Sequence, residues 1–196
     1  MDTSASLESK RIKVISIAVI VVIVFLVALL ATRPPVTSNT VNDPLVGKPA
    51  PLIRGTAVVY TPNPPSFKKT AVNLLALRGR FVVVNFFASW CTACQQDQSH
   101  LVRFAHQNDT LGGTQLIGVV FSDTLGNVRH FMSSTSVTWP VLLDQGGHLA
   151  LDYGVRAPPE TFVIDPNGIV VAHIDGPVTA SMLEGIVAKA KAELEI

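Results

Sequence analysis

The chain has 196 residues, and its 15 Lys and Arg residues nearly balance its 14 Asp and Glu residues. It carries no basic run, which argues against nucleic acid as a partner, because proteins that bind nucleic acid concentrate positive charge on one surface. Hydrophobic residues make up 48% of the chain and are concentrated near the N-terminus, so we expect a globular domain preceded by an apolar segment.

The apolar segment runs from Val14 to Ala31, and its only polar residue is Ser16. As a helix it would rise about 27 Å, close to the roughly 30 Å thickness of the hydrocarbon core of a bilayer. The apolar part of a cleaved signal peptide is shorter, about 7–15 residues, and this segment lacks a clear small-residue cleavage site. We therefore predict a single transmembrane anchor over residues 14–32.

Charged residues that flank the anchor predict its orientation. Lys10, Arg11 and Lys13 precede it, whereas only Arg33 follows it closely. Because Lys and Arg accumulate on the cytoplasmic side of a membrane span, residues 1–13 are expected in the cytoplasm. The predicted localisation is the cell membrane, with a single pass and with everything after the anchor outside the cytoplasm.

Residues 33–45 are rich in Pro, Thr and Asn and are predicted to form an extended linker, and residues 46–196 are long enough for one domain. Apolar runs and amphipathic stretches in this domain predict strands at 52–60, 71–75, 81–87, 116–121, 161–164 and 169–174, and helices at 92–107, 124–134, 148–153 and 179–194. Asp165-Pro166-Asn167-Gly168 predicts a hairpin between the last two strands. This order is typical of an α/β domain in which a mixed sheet has helices on both faces.

The only two cysteines of the chain, Cys91 and Cys94, lie between the strand predicted at 81–87 and the helix predicted at 92–107. Cys91 is then at a helix N-terminus, where unpaired N–H groups and the helix dipole favour a thiolate over a thiol. The thiolate is the form that attacks disulfides. A bridge that closes only two intervening residues adds little constraint to the unfolded chain. A redox-active pair is therefore favoured over a structural disulfide.

A Cys-x-x-Cys pair is also half of a typical zinc site, which needs two further ligands. The chain has no other cysteine, and His100 and His106 are six residues apart on the predicted helix. Six residues correspond to about 120° of rotation around a helix axis, so the two imidazoles do not easily converge. We therefore predict no metal, and no cofactor other than the redox-active disulfide of Cys91 and Cys94.

Four motifs follow one another along the domain: Gly47–Pro51, Val84–Cys94, Trp139–Asp144 and Tyr153–Asp165. In this order they resemble the TlpA/ResA/CcmG (DsbE) family of membrane-anchored thiol-disulfide oxidoreductases, over about residues 46–190. The resemblance implies a thioredoxin-like fold, that is, a mixed central sheet flanked by helices, with a family insertion around the third motif. It also implies the activity of a thiol-disulfide oxidoreductase.

The resemblance assigns roles to the two cysteines and to Pro159, and the residues themselves suggest roles for Pro158 and Trp90. Cys91 corresponds to the attacking cysteine, and Cys94 to the buried one that resolves the mixed disulfide. Pro159 aligns with the family's cis-proline, which packs beside the cysteine pair and helps to bind an extended client peptide. Pro158 before it has no N–H group, so we expect no backbone hydrogen bond from residue 158 to a client. Trp90 is expected to shield the disulfide and to offer a further client contact.

Asp97 lies three residues after Cys94, at a place where the family often carries a glutamate. Cys94, Asp97, Leu101 and Phe104 fall on one stripe of the predicted helix, so Asp97 is expected to face the interior. A buried carboxyl group has a raised pKa and could pass a proton to or from the Cys94 sulfur. The other interpretation is an acid near the helix N-terminus that only complements the helix dipole. The residues themselves leave both interpretations open.

The function favoured by the resemblance is the reduction of protein disulfides outside the cytoplasm, with apocytochrome c as the client in cytochrome c maturation. It implies a membrane electron donor that reduces the cysteine pair again. Two alternatives are a general oxidase or reductase of envelope thiols and, from a different class, a copper-binding assembly factor of similar fold. In the latter, Cys91, Cys94 and His173 would be the ligands. The direction of the redox reaction depends on the reduction potential, which Thr92-Ala93 influences but does not reveal.

Overall fold

The computed structural model describes residues 17–28, 39–40, 43–108 and 113–195. The chain divides into two units, Met1–Thr37 and Ser38–Ile196. In the first unit, residues 17–28 are helical (α1) and their side chains are exposed. Of the helices in the described ranges, none is both long and apolar enough to span a membrane.

Several sequence predictions fall outside these ranges. They are the cytoplasmic N-terminus (1–13), both ends of the anchor (14–32) and much of the linker (33–45). These boundaries stay predictions.

Eight strands of the second unit, within the described ranges, form one mixed sheet. The strands are β1 (Asn39–Thr40), β2 (Arg54–Pro62), β3 (Pro65–Asn73), β4 (Val82–Phe87), β5 (Gln115–Val120), β6 (Val141–Leu143), β7 (Glu160–Ile164) and β8 (Val170–Asp175). The helices are α2 (Thr92–Gln107), α3 (Leu125–Thr135), α4 (His148–Asp152) and α5 (Ala180–Glu193), with a 3₁₀ turn at Leu74–Leu77. The strand order is β1-β8-β7-β4-β5-β6-β2-β3. The sheet is mixed because β4, β5 and β6 run parallel, whereas β7 is antiparallel to both β4 and β8.

The strand β4 is central to both layers of the core. All of its residues are buried, as expected for an apolar run that is covered on both faces of a sheet. Val83 and Phe87 belong to a cluster that includes residues of α2, α3 and α5. Val84 and Phe86 belong to a second cluster, which includes Ala150 of α4. Helices therefore cover both faces, as predicted, and the loop that leaves β4 is held between two packed layers.

The bounds predicted from the sequence are more accurate for the central elements than for the first hairpin. The helix predicted at 92–107 is observed with these bounds, and the hairpin around Asp165–Gly168 joins β7 to β8. The first strand has the predicted length but lies two residues later, and the second is longer than predicted, so the two are closer together, and Thr61 and Ser66 pair across a tighter turn. Most of β3 is exposed, so its sequence lacks the alternation of apolar residues that marks a half-buried strand.

Residues within the predicted linker contact the sheet. Asn39 and Thr40 form β1, which pairs antiparallel with Asp175 and Ile174 of β8. Asp43 follows shortly after and reaches a side chain of the same strand, as described below. The folded unit therefore includes part of the segment that was predicted to be an extended linker.

Candidate active site

Cys91 and Cys94 form a disulfide at the N-terminus of α2, directly after the loop that leaves β4. Cys91 is the N-cap residue, and its Sγ accepts a hydrogen bond of 3.0 Å from the Cys94 N–H. Cys91 has 6% of its surface exposed, and Cys94 has 1%. After reduction, the same N–H group and the positive end of the helix dipole would stabilise a thiolate on Cys91.

The loop before β7 lies against this disulfide. The Pro158–Pro159 peptide bond is cis, as the resemblance implied, while the client-binding role of Pro159 stays a prediction. The carbonyl oxygen of Pro158 is 3.5 Å from Cys91 Sγ, so Pro158 is also placed next to the disulfide as expected. In the disulfide the sulfur carries no hydrogen, but a reduced Cys91 thiol can donate to this oxygen. Pro159 is buried and Pro158 is half-buried.

Trp90 is the most exposed aromatic side chain at this site, with 57% of its surface accessible. Its indole N–H donates to the carbonyl oxygen of Ser122 at 3.1 Å, which holds the ring beside the loop after β5. The exposed face fits the client contact predicted for Trp90. That role stays a prediction.

A second contact, which the sequence analysis missed, joins the same loop to the residue before Trp90. The backbone N–H and the hydroxyl of Ser89 both donate to Asp123 Oδ2, at 2.8 and 2.6 Å. Burial opposes the charge on Asp123, but hydrogen bonds from Ser89, Thr124 and Asn127 outweigh it and lower the pKa of the carboxyl group. Asp123 therefore braces the segment that leads into Cys91. The only sequence signal was an Asp-Thr pair before a helix, which is also an ordinary capping pattern.

Asp97 is buried on the same face of α2 as Cys94, Leu101 and Phe104, as predicted. Desolvation raises the pKa of its carboxyl group from 3.8 to about 7, and a hydrogen bond from the Val178 backbone only partly opposes this effect. Its Oδ2 makes no hydrogen bond with the described residues. A carboxyl group with a pKa near neutrality can both bind and release a proton, which is the property a proton relay requires.

Glu160 is a further buried acid, at the start of β7, and it holds the loop that carries the cis-proline. Its Oε1 accepts hydrogen bonds from the backbone N–H groups of Arg156 (2.7 Å) and Ala157 (3.2 Å). Its Oε2 lies 2.9 Å from Nε2 of His173, in β8. The other ring nitrogen of His173 lies 2.7 Å from Asp43 Oδ2.

The charges of this group support one another. Burial opposes ionisation, but the hydrogen bonds to His173, Arg156 and Ala157 lower the pKa of Glu160. The two carboxylates that face His173 raise its pKa in spite of burial. The sequence analysis did not bring Glu160 and His173 together. A charged residue in each of two neighbouring apolar strands was the signal that could have paired them.

The structure does not assemble the ligand set of the copper alternative. Both ring nitrogens of His173 face carboxylate oxygens, and Cys91 and Cys94 are bonded to each other. Among the described residues, no group of three His, Cys, Asp or Glu side chains is arranged to hold a metal ion.

Known proteins with similar sequences are named as thiol:disulfide interchange proteins. A model of the AhpC/TSA family matches residues 46–173. The thiol:disulfide interchange protein DsbE of Allochromatium vinosum is 31% identical over 156 residues, which cover 76% of this chain and 79% of that protein. The thiol:disulfide interchange protein HelX of Rhodobacter capsulatus is 32% identical over 106 residues, which cover 54% of this chain and 57% of HelX.

A solved structure has the same fold. The thiol:disulfide interchange protein of the thioredoxin family from Chlorobium tepidum is 25% identical and matches with a TM-score of 0.61, over 76% of this chain and 99% of that protein. The predicted thioredoxin-like fold is thereby confirmed.

Proposed function

The chain belongs to the AhpC/TSA family and is a thiol-disulfide oxidoreductase, and from this we propose that it reduces disulfides of protein clients outside the cytoplasm. The observation that supports the proposal most directly is the position of Cys91. Its sulfur accepts the Cys94 N–H at the N-terminus of α2 and lies beside the Pro158 carbonyl group. This arrangement combines a stabilised thiolate with a neighbouring surface for an extended peptide.

The proposed reaction consists of two exchanges. The Cys91 thiolate attacks one sulfur of a client disulfide, so that a mixed disulfide forms and the first client thiolate leaves. The Cys94 thiolate then attacks Cys91 Sγ, which forms the intramolecular disulfide and releases the second client thiolate. Two electrons pass from the cysteine pair to the client, and a membrane electron donor returns them.

Asp97 has a place in the second exchange. Cys94 is almost completely buried, so its thiol must lose a proton inside the protein before it attacks. Asp97 lies one helical turn farther along the same buried face, and with a pKa of about 7 its ionised form is present near neutral pH to accept that proton. We assign Asp97 the role of proton relay in this step.

The location and the client are the narrower parts of the proposal. The apolar block with basic residues before it supports a membrane anchor and an extracytoplasmic domain. The resemblance to the TlpA/ResA/CcmG (DsbE) family supports apocytochrome c, whose haem-binding cysteines need to be reduced, as the client. Trp90, Pro158 and Pro159 would form the surface that binds it.

A trapping experiment tests both the chemistry and the client. In Cys94→Ser the mixed disulfide between Cys91 and the client cannot be resolved, so it accumulates and can be identified by mass spectrometry after isolation from the native membrane. We expect apocytochrome c in the trapped complex and nothing covalently bound to the matched control, Cys91→Ser/Cys94→Ser. If a broad set of envelope proteins is trapped instead, the protein acts on envelope thiols in general and not on apocytochrome c alone. Equal trapping by Cys91→Ser, which keeps Cys94, would contradict attack by Cys91.

A further inference from the structure

Three side chains that the exchange reaction does not use form a continuous path toward the disulfide. It runs from Asp43 through His173 to Glu160, and each step is a contact of less than 3 Å between a ring nitrogen and a carboxylate oxygen. Glu160 then binds the backbone of Arg156 and Ala157. The next residue along the chain is Pro158, whose carbonyl oxygen contacts Cys91 Sγ.

The middle of the path is fixed in place. His173 and Glu160 are 3% and 1% exposed, and the imidazole is stacked on the Phe162 ring at 4.1 Å and 8°. Both ring nitrogens face carboxylates, so with both carboxylates ionised each nitrogen must carry a hydrogen in order to donate. A ring held on both edges and on one face cannot turn without breaking one of these contacts.

Asp43 brings the N-terminal end of the folded unit into this path. Its Oδ1 accepts the Leu45 N–H at 2.6 Å, while its Oδ2 faces His173. The short strand β1 just before it pairs with β8 at Ile174 and Asp175, immediately after His173. The segment is therefore attached to β8 by backbone pairing and by a charged side chain.

We propose that Asp43, His173 and Glu160 position the client-binding loop, so that the N-terminal end of the folded unit takes part in client recognition. The inference rests on the proposed function, because it requires a client that binds along Pro158 and Pro159. All three are positioning residues, since they act through the backbone of the loop and touch neither the sulfur atoms nor the client. Their expected effect is on how well the client binds rather than on the exchange of sulfur bonds.

Asp43 is the position at which the path can be cut with least harm to the fold, because it lies at the edge of the domain and remains 13% exposed. In Asp43→Asn the oxygen that accepts from Leu45 is retained, whereas an NH₂ group faces the His173 N–H. His173 then loses an acceptor, and its hold on Glu160 and on the loop weakens. Couplings carried by such networks change affinity by roughly 2- to 30-fold, and we expect about a fivefold rise in KM.

The test compares the full chain with Asp43→Asn, Asp43→Ala and a matched control, Val72→Ala. Val72 is buried in β3, at the opposite edge of the sheet, so its truncation destabilises the domain without touching the path. The probe is a synthetic peptide with a Cys-x-x-Cys-His sequence in its disulfide form, and oxidised glutathione serves as a small disulfide. We expect both Asp43 variants to raise KM for the peptide about fivefold with kcat within about twofold of the wild type, and Val72→Ala to leave KM unchanged.

Two results would overturn the inference. One is an unchanged KM in both Asp43 variants, and the other is an equal rise of KM in Val72→Ala, which would show that lost stability alone is responsible. Failure of the proposed function has a different signature. In that case the wild-type chain itself would exchange with neither the peptide nor oxidised glutathione.

Discussion

Asp97 in α2 and Glu160 in β7 are both buried acids near the disulfide, with 2% and 1% of their surfaces exposed, yet their pKa values move in opposite directions. Desolvation raises the pKa of Asp97 to about 7. The pKa of Glu160 is lowered in spite of the same unfavourable burial. Burial alone therefore does not decide whether a carboxyl group in this domain carries a proton or a charge.

The difference lies in the donors that each acid receives. Glu160 faces two backbone N–H groups and a histidine, and all of them favour the carboxylate. Asp97 receives one backbone hydrogen bond, from Val178, and its second oxygen has no partner among the described residues. The compensated acid is suited to hold a loop, and the uncompensated acid is suited to hold and release a proton.

Glu160→Gln removes the charge of the acid that is compensated by hydrogen bonds, and it has the largest expected effect on the free energy of unfolding. Gln keeps an oxygen for the Arg156 and Ala157 N–H groups but directs an NH₂ group toward the His173 N–H. Removing one partner of a buried ionic pair is strongly destabilising, and His173 then keeps only the Asp43 carboxylate, so we expect a loss of about 3 kcal/mol in the free energy of unfolding, measured with urea at pH 7. The matched control is Glu193→Gln, because the Glu193 side chain is 66% exposed and should change stability by less than about 0.5 kcal/mol. Equal losses in the two variants would contradict the comparison.

Asp97→Asn removes the uncompensated acid and should stabilise the domain in a pH-dependent way. The unfolded chain releases the Asp97 proton above pH 3.8, whereas the folded chain keeps it until about pH 7. Wild-type stability therefore falls as pH rises from about 4 to 7, and the variant escapes this loss. Between pH 5 and pH 8 we expect the variant to gain between about 2 and 3 kcal/mol over the wild type in urea unfolding.

The control for this variant is Asp152→Asn, because Asp152 is an exposed acid of α4 whose substitution should change the free energy of unfolding by less than about 0.5 kcal/mol. A constant difference between Asp97→Asn and the wild type across this pH range would mean that Asp97 is ionised in the fold. The proton relay has its own test on the same protein. Unchanged thiol pKa values and an unchanged exchange rate in Asp97→Asn would remove that role and leave the burial argument in place.

Asp97 could be predicted from the sequence because its position depends only on local periodicity. The spacing from Cys94 to Phe104 places these residues on one helix face, and burial then determines the direction of the pKa shift. The central strand β4 is predictable for a similar reason, since a continuous apolar run is typical of a strand buried on both faces. The edge strand β3 is harder to predict, because most of its side chains are exposed and its sequence lacks the apolar pattern of a buried strand.

The network of Glu160 could not be predicted from local patterns. His173 and Asp43 are 130 residues apart in sequence, and Asp43 lies where the composition indicates an extended linker. Only the sheet order places β1 and β7 on either side of β8 and so brings the three side chains together. The cis-proline differs again, since neither periodicity nor composition indicates it and the resemblance alone predicted it.

Asp123 is intermediate between Asp97 and Glu160, because it is only half-buried and accepts several hydrogen bonds. Asp123→Asn retains one acceptor but loses the charge that strengthens the hydrogen bonds from Ser89, Thr124 and Asn127, so we expect a loss of about 1 kcal/mol at pH 7. Since its pKa is lowered in the fold, this stabilisation is present above pH 3.8 and is lost as pH falls through the folded value. Urea unfolding at pH 7 and pH 3 measures both parts. A wild-type advantage that persists unchanged at pH 3 would contradict the role of the charge.

Trp90 contributes neither burial nor charge, so its removal should have the smallest effect on stability and separate binding from folding. With 57% of its surface exposed and one hydrogen bond to Ser122, Trp90→Ala should change the free energy of unfolding by less than about 1 kcal/mol. An exposed tryptophan beside a reactive sulfur is nevertheless the kind of side chain that dominates a binding surface, so KM for the Cys-x-x-Cys-His peptide should rise about tenfold. Leu151→Ala is the matched control, because Leu151 is 78% exposed but belongs to α4. If both variants leave KM unchanged, the exposed tryptophan is not part of the client surface, and the loop held by Glu160 must provide the binding by itself.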